Sequence, residues 1–373
     1  MKIALFFPGC HRRGGIERAV LETANFLAGR GHEVHLCARE WDQNELDPRV
    51  VRHPVPPGRG PNPLPAISFA RHSRRIAGAI KPDVRACFGV HCPTNCVFWA
   101  GSVHRAWLQT SQSQRNLLGR VKQRLNPFHP VMLSYEKHLL GKRRYRKVIA
   151  YTPQVKADMM RLYNVPAEDI VIIPNGYSPS EFNVTERAQR RREIRARLEF
   201  PETGKIVLFV ANELERKGFG PLLTAFAQVA RPDERLVAVG RFAPGRYPEK
   251  ARSLGLADRV IFAGPSKNVA DFYAAADLFA LPTQYEPWGL VIIEAMASGL
   301  PVLTSRLAGA ACAVSDESGL LLDDPGDVPD IASKMRRLLD GQHDAAKISA
   351  SVAPFAWNRV LAEYEQVLIN SCE

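Results

Sequence analysis

Two carboxylates, Glu286 and Glu294, stand eight positions apart, separated by a Pro287-Trp288-Gly289 turn and an apolar run, Leu290-Val291-Ile292-Ile293. Residues 277–285 read as a short buried strand and a loop, which puts Glu286 at the strand's C-terminal end. Glu294 falls about a turn into the predicted helix, whose side chains lean back toward its N-terminus. Both carboxylates can then flank a pocket into which the free N–H groups of the helix start, around Trp288, Gly289, Leu290 and Val291, also point. Carboxylates accept sugar hydroxyls and a helix N-terminus accepts phosphate, so this combination suits a nucleotide sugar.

Further chemistry-bearing residues fall after predicted strands. Arg216-Lys217-Gly218 follows the strongly apolar segment 205–211, and two cations there suit a diphosphate through charge-assisted hydrogen bonds. A solvated basic turn is the plainer alternative. Arg241 follows Val239-Gly240 and could reach the nucleotide or simply face water. Gly264-Pro265 would let backbone amides face a base, with Val269 packed on it. In the first half, Gly14-Gly15 after the first strand allows close backbone approach to a phosphate or sugar, though such a pair is often only a turn. His104, just past Ala100-Gly101-Ser102-Val103, is the candidate catalytic histidine, with His91 and Ser102 as alternatives; a lone histidine is more often structural.

The elements that must hold these residues alternate strand and helix. Strands fit residues 2–7, 33–38, 83–88, 96–100 and 147–151. Helices fit 16–30 and 66–80, and a long basic helical stretch covers about 105–145. Residues 54–65 carry six prolines and read as an irregular loop. The second half repeats the pattern, with strands at 205–211, 235–240, 259–263, 277–281 and 301–304, each followed by a helix. Alternation of this kind predicts parallel sheets. Asn175-Gly176 reads as the hinge between two doubly wound α/β domains, expected at 1–173 and 174–354, with the C-terminal helix at 355–373. Ligands of open α/β sheets bind outside the C-terminal strand ends, and two such faces across a cleft would unite donor and acceptor.

At 373 residues, two domains are the natural expectation. The composition, 46% hydrophobic and 24% charged, is that of an ordinary globular chain, and no apolar run approaches the length of a membrane span. The opening Met1–Phe7 is cut short by Pro8-Gly9 and reads as a strand rather than a leader. Seven scattered cysteines read as free thiols, because no second ligand pair accompanies Cys92 and Cys96. The net charge of +12 gathers at Arg71–Arg75, Arg115–Arg124, Lys142–Lys147 and Arg187–Arg197. Such clusters serve anionic lipid, phosphorylated ligands or plain solvation; no nucleic-acid-binding signature accompanies them.

At these residues the chain resembles the retaining glycosyltransferases of family 4, with the two-Rossmann GT-B fold, and especially their lipopolysaccharide-core branch. The resemblance rests on Glu286 and Glu294, Asn175-Gly176, Arg216-Lys217-Gly218, Val260–Gly264 with Tyr273-Ala274-Ala275-Ala276-Asp277, and Glu294–Val302. One departure is visible: where the common family pattern has Gly-Arg after the strand, this chain has Ala211-Asn212 and carries its arginine at 216. The resemblance implies that Glu286 holds hydroxyls of the donor sugar and Glu294 the ribose. Arg216 and Lys217 would hold the diphosphate, with Gly15 pressing on it. It further implies transfer of a hexose, glucose by preference, from a UDP-linked donor to a lipid-linked glycan such as lipopolysaccharide core. No metal or other cofactor is implied, and no Asp-x-Asp motif is present. The implied setting is cytoplasmic and peripheral, on the anionic inner membrane face. The competing readings are a nucleotide-sugar epimerase of the same fold and an inactive nucleotide-sugar or lipid-binding module.

Overall fold

The computed structural model describes residues 1–58, 60–113, 117–201 and 203–372. The chain forms two compact units, Met1–Gly176 with Trp357–Glu373, and Tyr177–Ala356.

The first unit holds β1 (Lys2–Phe6), β2 (Gly9–Cys10), β3 (Glu33–Ala38), β4 (Glu40–Trp41), β5 (Val51–Pro54), β6 (Val84–Cys87), β7 (Val97–Ala100), β8 (Lys147–Ala150) and β9 (Ile170–Ile172). Seven of these form one parallel sheet in the order β5-β3-β1-β6-β7-β8-β9, and β2 pairs with β4. The second unit holds β10 (Ile206–Val210), β11 (Arg235–Val239), β12 (Val260–Gly264), β13 (Leu278–Leu281), β14 (Val302–Ser305) and β15 (Gly319–Leu322). These form a parallel sheet ordered β12-β11-β10-β13-β14-β15. The middle strands are apolar along their whole length and buried on both faces, as helix-covered parallel sheets require. In both sheets the chain winds outward one way, returns, and winds out the other. The order therefore reverses between β1 and β6 and between β10 and β13, and a crevice opens outside the strand ends there.

Sequence features fix several boundaries. Thr152 caps the helix Pro153–Tyr163 through its hydroxyl, 3.2 Å from the Val155 amide, with proline at the first helical position. The last helix, Trp357–Ile369, belongs to the first unit. There Tyr364 packs against Trp99 at 4.4 Å between ring centres, and Glu365 pairs with His32 and Arg30. A Cβ on Gly176 would lie 2.7 Å from the Trp357 ring, so only glycine fits beneath this helix. Among the described residues no helix is long and apolar enough to cross a membrane.

Two expectations need correction. The stretch at 105–145 is not one run but His104–Ser113, Leu117–Leu125, Phe128–Glu136 and a π-helical turn, Lys137–Gly141. Asn126-Pro127 ends the second helix, because proline lacks the N–H and disfavours helix in the residue before it; the Asn126 side chain then caps the Phe128 amide at 3.0 Å. Arg115 lies outside the described residues. The proline-rich loop is likewise shorter than expected, since Pro54 ends the edge strand β5 and the next helix starts at Leu64.

The basic cluster Arg187–Arg197 has a structural task. It lies on the helix Val184–Arg197 and faces the end of the helix Val269–Ala275. Arg191 donates to the carbonyls of Ala275 and Ala276 and pairs with Asp277 at 2.6 Å; Arg195 reaches the Ala275 carbonyl at 3.0 Å and Asp277 at 2.6 Å. Arg187 donates to the Ala276 carbonyl at 2.9 Å. These cations satisfy carbonyls left open where the helix stops. Asp277 also accepts the Ile206 amide at 2.8 Å, which ties the start of β10 to the same network. Asp277→Ala would leave the buried Arg195 without its carboxylate, and the second unit should lose about 3 kcal/mol of stability. A urea midpoint unchanged from wild type would refute this role.

Candidate functional site

The site is built where β10 and β13 part. The loop after β10 runs from Ala211 to Gly218 and the loop after β13 from Pro282 to Gly289. Gly218 has φ 81°, and a Cβ there would sit 1.9 Å from the Pro282 carbonyl oxygen. Glycine is thus required by backbone conformation and by contact. The loops are further joined by Gln284 N to the Arg216 carbonyl at 3.0 Å and by Arg216 Nη1 to the Tyr285 carbonyl at 2.6 Å. This zipper places Lys217 Nζ directly on Glu286 Oε2 as an ion pair, with both side chains largely buried.

Burial and the neighbouring Arg216 pull the Lys217 ammonium down to about 7, against the opposing field of Glu213. The Glu286 carboxylate against its Nζ works in the opposite direction, toward the ammonium. Arg216 forks onto Glu213 at 2.9 and 3.0 Å, and that hydrogen bond holds the Glu213 carboxyl below its usual range.

The loop carrying Glu286 is fixed from its other side. Gly309 N donates to the Glu286 carbonyl at 2.9 Å and Ala310 N to the Trp288 carbonyl at 2.7 Å. Trp288 is buried against Phe355. Gly289, at φ 102°, turns the chain into the helix Leu290–Ala297, whose first amides, at Leu290 and Val291, have no carbonyl one turn back to bond. Glu294 projects from this helix and is 8% exposed. The hydroxyl of Tyr273, wholly buried, lies 3.2 Å from Glu294 Oε2 and 3.2 Å from the Val291 carbonyl, sharing one proton between them. The two carboxylates thus have separate partners, Lys217 for Glu286 and Tyr273 for Glu294.

Arg241 is exposed, and its amide donates to Asn212 Oδ1 at 2.9 Å, so Asn212 holds the loop after β11. Gly264 ends β12 at φ 70° with open space where a side chain would be, and Val269 starts the following helix. The remaining candidates belong to the first unit. Gly15 starts the helix Gly15–Gly29, and its carbonyl accepts Asn175 Nδ2 at 3.4 Å. His104 starts the helix His104–Ser113, with its ring 3.1 Å from His129 Nδ1 and stacked on Trp107. Glu136 caps that helix by accepting the amides of His104 and Arg105. His91 sits against Phe69, with its Nδ1 buried and unpaired among the described residues. Ser102 is exposed.

Sequence reasoning gave no role to Tyr273, Glu213 or Tyr285. Tyr273 lies within the Tyr273–Asp277 motif, but nothing in a linear spacing says which way its hydroxyl points.

The chain matches Glycosyltransferase Family 4 over residues 13–181 and Glycosyl transferases group 1 over residues 190–352. It is 30% identical to the D-inositol 3-phosphate glycosyltransferase of Acidothermus cellulolyticus, over 96% of this chain and 86% of that one. It is 25% identical to the lipopolysaccharide glucosyltransferase WaaG of Escherichia coli K12, over 87% of this chain and 86% of the relative. The crystal structure of a WaaG has the same fold, with a TM-score of 0.83 at 22% identity, covering 98% of this chain and 99% of that one. The identity to the Acidothermus enzyme makes this chain a glycosyltransferase, and its two Rossmann-like units have the GT-B fold. The chain belongs to glycosyltransferase family 4.

His104 also makes a pH-dependent contribution. Burial, then the neighbouring His129, pull His104 down to about 4, well below its ordinary 6.5. Between these values the unfolded chain binds a proton that the folded chain refuses. The contribution is whole above pH 6.5 and is lost as pH falls toward 4. His104→Gln should flatten this part of the urea-midpoint profile, and an unchanged slope would contradict the assignment.

Proposed function

We propose that this glycosyltransferase moves a hexose, glucose by preference, from a UDP-linked donor to a lipid-linked glycan such as lipopolysaccharide core. The observation that carries the reading is the Lys217–Glu286 pair beside the helix start at Leu290. A diphosphate arriving there offers Lys217 a second anion, and the Lys217–Glu286 pair opens. Lys217 and Arg216 then take phosphate oxygens, while Glu286 becomes free to accept sugar hydroxyls. Glu294, oriented by Tyr273, accepts the ribose hydroxyls. Gly264 leaves room for a base, Val269 packs on it, and Arg241 extends over the nucleotide.

In the reaction the bond from the anomeric carbon to the diphosphate breaks and a bond from that carbon to the acceptor oxygen forms. Lys217, Arg216 and the helix amides stabilise the negative charge that grows on the departing diphosphate. That diphosphate takes the acceptor's hydroxyl proton, and attack on the same face retains the anomeric configuration. The cations present supply the charge that a bound metal would otherwise supply, so we assign no cofactor.

The exposed Lys142, Arg143 and Arg144 support association with an anionic membrane face in the cytoplasm. The rest of that patch is engaged internally, since Arg146 bonds the Ser371 carbonyl and Lys147 the Glu168 carbonyl. A second acceptor class, a phosphorylated polyol, is favoured by the 30% identity to the inositol-phosphate enzyme.

Incubation of UDP-glucose with lipopolysaccharide core, or with D-inositol 3-phosphate, distinguishes the acceptors by which mixture releases UDP. A thermal-shift comparison of UDP, GDP and ADP reads the base. Glu286→Ala and Lys217→Ala should each lower transfer about 100-fold or more. Wild-type rates in both variants would sink the site assignment.

A further inference from the structure

A cavity of about 340 Å³ opens in the first unit between the helix Phe128–Glu136 with its π-helical continuation and the end of the helix Pro153–Tyr163. Leu133, Leu162 and the buried Tyr163 give it an apolar lining. Arg105, Lys137 and Lys142 bring three cations to it, all from exposed residues, and no acidic residue lines it. Gly141 and Lys142 precede β8 and Leu162–Asn164 end the helix that returns from it, so the cavity opens where β8 begins. The donor-site residues belong to the other unit, so the cavity does not depend on them, while its lipid arm rests on the membrane association proposed above, with which it shares Lys142.

The charge here differs in kind from that of Arg187–Arg197. Those arginines are matched to Asp271, Asp277 and helix-end carbonyls. Among the described residues no carboxylate forms an ion pair with the side chains of Arg105, Lys137 or Lys142. The adjacent Glu136 accepts the amides of His104 and Arg105 and the Tyr163 hydroxyl at 2.6 Å, and the Arg105 charge also faces it, so Lys137 and Lys142 are the cavity's cations without a carboxylate opposite them among the described residues. The positive field extends to the next turn: burial, then Arg144, Arg74 and Lys142, hold His138 below its ordinary value. Three like charges at one mouth, beside the half-buried Leu133 and Leu162, call for an anion with an uncharged remainder. Phosphate esters meet this description, since guanidinium and ammonium groups bind their oxygens strongly. The volume suits a small ligand.

We propose that this cavity binds a phosphate ester, its phosphate held by Arg105, Lys137 and Lys142 and its polyol or apolar remainder resting on Leu133, Leu162 and Tyr163. Such an ester could be a phospholipid headgroup or a soluble polyol phosphate. The test uses the full chain and two variants: Lys137→Gln with Lys142→Gln, which removes charge, and Leu133→Trp, which fills the cavity. The probes are inorganic phosphate, glycerol 3-phosphate, and phosphatidylcholine vesicles with and without phosphatidylglycerol. Melting temperatures confirm that each variant folds, and if one does not, the other decides. Saturable binding of glycerol 3-phosphate, tighter than inorganic phosphate, identifies a soluble ligand; binding only to phosphatidylglycerol vesicles identifies a headgroup. Either binding should weaken about tenfold or more in both variants. Failure of the wild type to bind any probe, or binding that a folded variant retains, overturns the proposal.

Discussion

The second unit's chemistry depends on one close backbone approach, Gly218 against the Pro282 carbonyl. Strand order alone makes a crevice between β10 and β13, but a crevice is only a place. Bringing two loops into contact there requires one of them to present no side chain and to adopt a left-handed turn. Gly218 does both, and the residue before it, Lys217, is thereby delivered onto Glu286. The remaining supports of the site work from outside this contact. The segment 309–310 pins the Glu286 loop, Gly289 turns the chain into the helix, and Tyr273 holds Glu294 from below.

The direct ion pair has a consequence for how such a site recognises its ligand. A buried ammonium alone would pay a large desolvation cost, and so would a buried carboxylate. Their contact offsets part of both costs. A ligand that replaces the pair must therefore satisfy both members at once, an anion for Lys217 and hydroxyls for Glu286. Inorganic phosphate meets the first need only, and a neutral sugar only the second. On the function proposed above, a sugar joined to a diphosphate would meet both needs, and selectivity for the joined molecule would come from the pairing.

Much of this was legible in the sequence for a physical reason. Parallel strands buried on both faces leave unbroken apolar runs, and 205–211 and 277–281 announce themselves as β10 and β13. Residues at the ends of such runs, Lys217 and Glu286 among them, must then face the crevice whatever the details. What stayed hidden has the opposite character. The edge strands β5, β9 and β15 are only three or four residues long and partly exposed, too short for composition to mark them even where, as in β9 and β15, they are apolar. The break at Asn126-Pro127 was masked by the surrounding basic residues, whose helix propensity carried the reading across a proline. Tyr273 and Glu213 act through distances that only the folded chain defines.

Charge was the least legible property of all, because composition counts cations without saying what they face. Arg187, Arg191 and Arg195 look in the sequence like a solvated or lipid-facing cluster. In the fold they replace the hydrogen bonds that a helix end lacks, and Asp277 anchors them to the start of β10. Lys142–Lys147 is divided in the same way, since its later members bond internal carbonyls and its earlier ones remain at the surface. A net charge of +12 is therefore not a measure of attraction to anions. Only cations without an internal partner contribute to such attraction at close range. In this chain that criterion separates Lys137 and Lys142, beside the first unit's cavity, from the larger basic helix in the second.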